Sequence, residues 1–84
     1  MKPIRFTLHA RSRLAERGTT AAEVEQAIRT GRREVVREGR FRCRLNLQYR
    51  ANWQGKYYDV KQVAPVIMES ATEIVVITVY SFFF

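Results

Sequence analysis

The segment from Arg40 to Arg50 alternates strictly, with every odd position apolar or aromatic and every even position polar. A period of two over eleven residues is typical of an antiparallel β-strand with one buried and one exposed face. The odd side chains therefore need a covering layer on one side of the sheet. The chain upstream of this strand has to supply that layer.

Two helices are predicted in that upstream region. The first covers residues 8–17, with Thr7 as its N-cap and Gly18 at the left-handed position that ends many helices. The second begins at the capping-box pair Thr20 and Glu23 and ends before Gly31. Its apolar stripe consists of Ala21, Val24, Ala27 and Ile28.

Three further strands are predicted around the alternating one. They cover Glu34 to Arg37, a segment starting at Tyr57, and Glu73 to Phe83. Turns are expected at Glu38-Gly39 and within Asn52 to Gly55, and Pro65 is expected to bulge or end its strand, which resumes over residues 66–68. The expected α+β fold has two N-terminal helices packed on a four-stranded antiparallel sheet. At 84 residues it is a single domain over positions 1–84.

The charge balance predicts a polyanionic partner. Fifteen Lys and Arg, twelve of them Arg, stand against eight Asp and Glu, which gives a net charge of +7. Arginine binds phosphate through two parallel hydrogen bonds and stacks on bases. Nucleic acid is therefore favoured over a membrane surface.

Other classes of protein are excluded by what the composition lacks. One Cys cannot form an internal disulfide, and no run of residues approaches the ~18 apolar positions of a membrane span. One His, one Cys and scattered carboxylates have no spacing suited to a metal site. We expect a cytoplasmic protein without metal or cofactor.

The polar positions of the alternating strand form the predicted nucleic-acid-binding row. Alternate residues of a strand lie about 6.6–7 Å apart, so such a row can follow the phosphates of an extended single strand. The row consists of Arg40, Arg42, Arg44, Asn46, Gln48 and Arg50. The alternative is that these side chains only solvate an open sheet face.

The last strand has two faces of different character. Its odd positions, Val75, Ile77 and Val79, are expected to face the core, while Ile74 and Val76 share the other face with Thr78 and Tyr80. The two hydroxyl groups would then point toward the basic side of the sheet. The alternative is that Thr and Tyr are present as good strand formers.

The first helix carries a third group of candidate residues. His9, Arg13 and Arg17 are spaced by four and span an arc of about 80° on the helix. Positive groups on one face repel one another unless an anion lies beside them. That anion is either a bound ligand or Glu16 in a solvated salt bridge.

These residues together resemble a known family. The matching residues are Phe6-Thr7, His9-Ala10, Arg13, Arg17-Gly18, the Thr-capped helix with Glu23 and Ile28, and Ile77-Thr78-Val79-Tyr80. The pattern resembles the bacterial domain of unknown function 4258, which is similar to RelE and ParE toxins and to metal-independent ribonuclease folds such as barnase and the colicin nucleases. The resemblance implies a RelE-like fold and an RNA-cleaving domain. Its implied catalytic residues are His9, Arg13, Arg17, Thr78 and Tyr80.

The side chains present are compatible with that chemistry. Cleaving RNA without a metal requires activation of a 2′-hydroxyl, stabilisation of the charged phosphate, and protonation of the leaving oxygen. His9 is the only imidazole, so a mechanism with two histidines is excluded. Arg13, Arg17 or Arg44 would hold the phosphate and Tyr80 would supply or position a proton, while Cys43 has the buried parity and no assigned role.

The expected function is a metal-independent endoribonuclease toxin of a toxin–antitoxin-like system. One alternative is a module that binds nucleic acid without cutting it. Another is a ParE-like toxin that acts on a protein target.

The C-terminal aromatic segment suggests a partner surface. Phe82, Phe83 and Phe84 are more aromatic surface than a small core can bury. They are expected to dock an antitoxin or a second copy of the chain. The alternative is that Phe82 and Phe84 fold over the sheet end while Phe83 caps the core.

Overall fold

The structure is a computed structural model that describes residues 1–84. It contains two helices and a five-stranded sheet. In chain order the elements are β1 (Ile4–Phe6), α1 (Leu8–Glu16), α2 (Ala21–Thr30), β2 (Arg32–Arg37), β3 (Arg40–Trp53), β4 (Lys56–Glu69) and β5 (Ile74–Phe83). The strand order across the sheet is β1-β5-β4-β3-β2. The α+β class and the two N-terminal helices are therefore confirmed.

Both helices begin as their capping residues predict. The Thr7 hydroxyl accepts a hydrogen bond from the Ala10 N–H at 3.0 Å, and Thr20 and Glu23 form a complete capping box. Gly18 follows α1 with a φ of +66°, and a Cβ there would lie 2.8 Å from the Trp53 ring. Glycine is thus required at this position both by backbone conformation and by the close approach of Trp53.

The prediction of four antiparallel strands is wrong, because the sheet is mixed. β1 pairs in parallel with β5, with Ile4 opposite Ile74 and Phe6 opposite Val76. The other neighbouring strands are antiparallel. A strand of three residues has no measurable periodicity, and its partner lies about seventy positions further along the chain.

The predicted interruption at Pro65 is also absent. β4 is continuous, and its pairing with β3 has the same register before and after the proline, from Arg42 opposite Val66 to Leu45 opposite Val63. Pro65 removes one N–H but not the neighbouring ladder bonds. The irregularity lies instead in β5, where the register with β4 shifts at Ile77.

This bulge corrects the predicted faces of β5. Ile74 and Val76 lie in the core, contrary to expectation, together with Val79. Ile77 is an extra residue, as in a β-bulge, so even-numbered residues face the helices before it and odd-numbered residues face them after it. Residues before and after the bulge therefore contribute alternate positions to the same core.

One core cluster lies between the helices and the sheet. It joins Ala10, Val24, Ala27 and Ile28 of the helices to Cys43, Val63, Ile67, Ile74, Val76 and Val79 of the strands. Both helices consequently cover the same face of the sheet. We call the opposite side the open face. Neither helix has the length and apolar content needed to cross a membrane.

The covered face ends in a polar and aromatic group that we call the anchor cluster. It consists of Glu23, Tyr49, Trp53, Lys61 and Phe83. The Phe83 ring stacks on Trp53 with centroids 5.2 Å apart and meets Tyr49 edge-on at 5.3 Å. The buried Lys61 Nζ donates to Glu23 at 2.8 Å and to the Gly18 carbonyl at 2.9 Å. Phe83 therefore caps the core, while Phe82 and Phe84 remain exposed.

Candidate nucleic-acid interface

Helix α1 lies along the edge of β5 that β1 leaves free. β1 covers β5 only as far as Val76, whose carbonyl accepts the Thr7 N–H at 3.1 Å. The Thr7 hydroxyl then donates to the Ile77 carbonyl at 3.2 Å, and Ser81 Oγ donates to the Arg17 carbonyl at the other end of the helix. These bonds hold α1 beside the second half of β5.

This docking brings His9 to Thr78. His9 Nε2 lies 3.1 Å from Thr78 Oγ1, across sixty-nine positions of sequence, and the imidazole remains exposed. Because of the bulge at Ile77, Thr78 does not occupy a core-facing position of β5, so its hydroxyl can face α1. The hydrogen bond fixes the orientation of the ring.

Arg17 and Tyr80 form the second contact between α1 and β5. The guanidinium carbon of Arg17 lies 5.6 Å from the centroid of the Tyr80 ring, within the range of a cation–π interaction. Arg17 belongs to no ion pair, and its buried Nε has no hydrogen-bond partner. We call His9, Arg17, Thr78 and Tyr80 the edge cluster.

Arg13 is the candidate catalytic residue that the structure assigns to another contact. Its guanidinium donates to Glu16 at 2.8 Å, so the solvated salt bridge considered from the sequence is present. No hydrogen bond joins Arg13 to Thr78 or Tyr80. Four of the five implied catalytic residues are thus in mutual contact pairs, and Arg13 lies beside them on α1.

The open face is organised in rows across β5, β4 and β3. The register places Thr78 opposite Val66 and Arg42, Tyr80 opposite Ala64, and Phe82 opposite Gln62 and Asn46. The second row continues through Arg44 to Arg32 of β2. The predicted basic row and the hydroxyl-bearing end of β5 therefore share one surface.

Arg44 has the most contacts of the basic row. It donates to Glu34 on β2 at 2.5 Å and to the Gln62 amide oxygen at 2.8 Å, and it lies 5.9 Å from the Phe82 ring centroid. The hydrogen bond and charge of Arg44 lower the pKa of the Glu34 carboxyl. Part of the positive charge of the row is thus compensated by a carboxylate from the neighbouring strand.

The row does not run evenly to its predicted end. A register shift between Gln48 and Ala51 interrupts β3, and Arg50 has a φ of +46°. Arg50 borders a surface cavity with Gln48 and Asn46, while Arg40 lies at the far end of β3, opposite Arg37. The regular part of the row is therefore Arg40 to Gln48.

Sequence reasoning missed one residue of this surface, Gln62. Gln62 donates through Nε2 to Asn46 Oδ1 at 2.8 Å and thereby joins β4 to the basic row. In the sequence Gln62 is recognisable only as a polar residue, and its position opposite Asn46 becomes evident only from the register of β4.

Burial raises the pKa of the Cys43 thiol, and this residue lies in the core as its parity predicted.

Three surface cavities are present, and none includes a residue of the edge cluster. One lies between the first residues of the chain, α2 and Glu69. The other two border β3 and share Asn46. No three His, Cys, Asp or Glu side chains are grouped in a way that could hold a metal ion. The edge cluster is an open surface.

Comparison with known proteins identifies the family of the chain. No curated protein and no solved structure matches it significantly. A family model described as "Domain of unknown function (DUF4258)" matches residues 6–81, which include the edge cluster and, apart from Phe82, the residues of the open face described above. The chain belongs to this family of domains of unknown function, DUF4258.

Proposed function

We propose that this protein binds RNA on its open face and cleaves it at the edge cluster without a metal ion, as a RelE-like endoribonuclease toxin acting in the cytoplasm. The observation that supports the proposal is a pair of contacts between α1 and β5, His9 with Thr78 and Arg17 with Tyr80. A proton acceptor, an unpaired cation and two hydroxyl groups therefore lie along one edge of a basic surface.

Each side chain has a role in transfer of the RNA phosphate to its own 2′-oxygen. When His9 Nε2–H donates to Thr78, the imidazole Nδ1 is the free acceptor that takes the 2′-hydroxyl proton. The 2′-oxygen forms a bond to phosphorus as the bond to the 5′-oxygen breaks. Arg17 stabilises the charge on the phosphoryl oxygens, and the Tyr80 hydroxyl donates the proton to the leaving 5′-oxygen. The products are a 2′,3′-cyclic phosphate and a 5′-hydroxyl.

The proposal is tested by incubating single-stranded RNA with the protein in the presence of a chelator. Wild-type protein is expected to cleave, and His9→Ala to cleave about 10²–10⁴-fold more slowly, as loss of a general base does. The products are checked for 2′,3′-cyclic phosphate ends.

Arg29→Ala is the matched control, because it removes the same charge from α2 on the helix side of the sheet. It is expected to cleave at the wild-type rate. Activity that requires an added metal ion, or that persists unchanged in His9→Ala, contradicts the proposed mechanism.

A non-catalytic nucleic-acid-binding module is the second candidate function. His9 and Tyr80 are exposed, no cavity includes a residue of the edge cluster, and two of the three cavities border β3, which favours binding along the sheet over enclosure of a reacting phosphate. On this alternative His9→Ala leaves RNA affinity unchanged and no cleavage is detected with any protein preparation. Both functions predict that variants of the basic row lose affinity for RNA.

Partner docking at the C-terminal segment stays a prediction. Phe82 and Phe84 have 46% and 58% of their surface exposed, whereas Phe83 belongs to the anchor cluster. We therefore restrict the predicted docking of an antitoxin or a second copy to Phe82 and Phe84. Removing Phe83 as well would disturb the core.

A further inference from the structure

Two exposed aromatic rings stand side by side on the basic open face. Tyr80 has 39% and Phe82 has 46% of its surface exposed. They occupy alternate positions of β5, so they point to the same side at a separation of about 6.6–7 Å. Contiguous exposed apolar groups surrounded by polar residues are typical of binding surfaces.

Each ring has an arginine beside it. Arg17 lies 5.6 Å from the Tyr80 centroid and Arg44 lies 5.9 Å from the Phe82 centroid. The two pairs come from different elements, α1 and β3, on opposite sides of β5. A ring with an adjacent guanidinium offers both contacts that one nucleotide needs, namely a face for the base and a cation for its phosphate.

The space between the pairs is compatible with a bound strand. Ala64 lies on β4 opposite Tyr80 and has the smallest side chain among the open-face positions Gln62, Ala64 and Val66. It is buried beneath its neighbours. Beside Phe82, the amides of Gln62 and Asn46 form a hydrogen-bonded pair across β4 and β3. Amides at this position lie at the edge of a base stacked on Phe82, where they can bond its polar atoms.

We propose that Tyr80 and Phe82 form a stacking platform for two successive bases of single-stranded RNA, with Arg17 and Arg44 moving from the rings to the phosphates. The proposal rests on the proposed function in that it assigns the substrate contacts of the same face. It specifies that the RNA is unpaired, because bases inside a duplex do not offer their faces. In this proposal Phe82 contacts RNA, and the predicted docking of a protein partner is left to Phe84.

The experiment measures affinity separately from cleavage. Binding of a short single-stranded RNA is titrated in the His9→Ala background, so that the RNA stays intact. The same titration is done with an abasic oligonucleotide of equal length and charge, and with the RNA annealed to its complement. Tight binding is expected for the single strand alone among the three.

Replacing each ring by leucine or by another aromatic residue distinguishes base stacking from non-specific burial of apolar surface. Tyr80→Leu and Phe82→Leu are each expected to weaken RNA binding at least about fivefold while leaving the weak binding of the abasic strand unchanged. Tyr80→Phe and Phe82→Tyr keep an aromatic ring and are expected to retain RNA affinity. Tyr57→Leu, at an exposed aromatic at the β3–β4 hairpin, is the matched control and is expected to have no effect.

The outcomes separate this proposal from the proposed function. Equal affinity for RNA and the abasic strand, or unchanged affinity in both Leu variants, overturns the platform even if the protein cleaves RNA. Loss of base-dependent binding in the Leu variants supports the platform even if no cleavage is found. If the Leu variants instead abolish self-association in sedimentation and RNA binding is unaffected, the rings form a protein interface and the platform is wrong. Melting curves establish that each variant is folded.

Discussion

The anchor cluster and the edge cluster each place a cation beside a tyrosine ring, but the two cations differ in burial and in their bonding partners. In the anchor cluster Lys61 is 6% exposed, and it is bonded to the Glu23 carboxylate and a carbonyl oxygen. In the edge cluster Arg17 has no carboxylate, its Nε lacks a partner, and the nearby Tyr80 ring is partly exposed. A buried cation bonded to a carboxylate and a carbonyl oxygen stabilises the fold, whereas an unpaired cation beside an exposed ring can bind an anion.

The candidate RNA-binding arginines likewise differ in whether they have a carboxylate partner. Arg13 and Arg44 each have a carboxylate partner, Glu16 and Glu34 respectively, whereas Arg17 has none. Both ion pairs are solvent-exposed enough to exchange a carboxylate for a phosphate at little cost. Arg42 of the basic row also belongs to no ion pair, so Arg17 and Arg42 are directly available to RNA, whereas Arg13 and Arg44 are available after a change of partner.

The largest expected effect on stability is at the anchor cluster. Glu23→Gln is expected to lower the free energy of unfolding by about 3 kcal/mol, because it leaves Lys61 buried without a counter-ion. Glutamine still serves the capping box with Thr20, so the helix start is preserved. The melting temperature should fall by more than about 10 °C in thermal unfolding. Glu25→Gln, on the same helix and in no ion pair, is the control and should change it little.

The pH dependence of this difference identifies its cause. Burial, the largest single influence, raises the pKa of Glu23, but hydrogen bonds from Lys61 and Thr19, the charge of Lys61 and the Thr20 N–H together lower it below the ordinary value of 4.5. The stability contribution is thus present above about pH 4.5 and is lost as the pH falls through the lowered pKa. The difference between wild type and Glu23→Gln should be constant near neutrality and shrink in acid. A difference that persists in acid would show that packing, not charge, is responsible.

The next effect concerns RNA binding at the edge cluster. Each phosphate contact contributes about −0.7 to the slope of log affinity against log salt for a single strand. Arg17→Ala is expected to reduce the slope by about that amount, and Arg42→Ala combined with Arg44→Ala to flatten it as well. Arg29→Ala should leave the slope unchanged. Equal slopes for Arg17→Ala and Arg29→Ala would place Arg17 outside the RNA interface.

The smallest expected effect tests whether Glu16 competes with RNA for Arg13. Glu16→Gln removes the carboxylate of the Arg13 ion pair and should strengthen RNA binding about twofold at low salt. The same change should leave the melting temperature almost unaltered, since the pair is exposed. If Glu16→Gln weakens binding instead, Glu16 organises the interface and does not compete with it.

The period of the sequence and its capping residues determined most of the local structure. The alternating segment became β3, Thr7 and Thr20 began the helices, and Gly18 took the left-handed conformation. These features depend on neighbours within a few residues, which the sequence displays directly. The spacing of His9 and Arg17 on one helix face was likewise evident from the sequence, although their contacts were not.

Only the tertiary structure decided the pairing of β1 with β5, the continuity of β4 through Pro65 and the bulge at Ile77. The bulge puts Ile74 and Val76 in the core while Thr78 and Tyr80 lie on the open face, a combination that strict alternation forbids. It can form because Thr7, the N-cap of the docked α1, donates its backbone N–H to the Val76 carbonyl and its hydroxyl to the Ile77 carbonyl. Such a bulge depends on hydrogen bonds between segments about seventy residues apart, so no local pattern in the sequence specifies it.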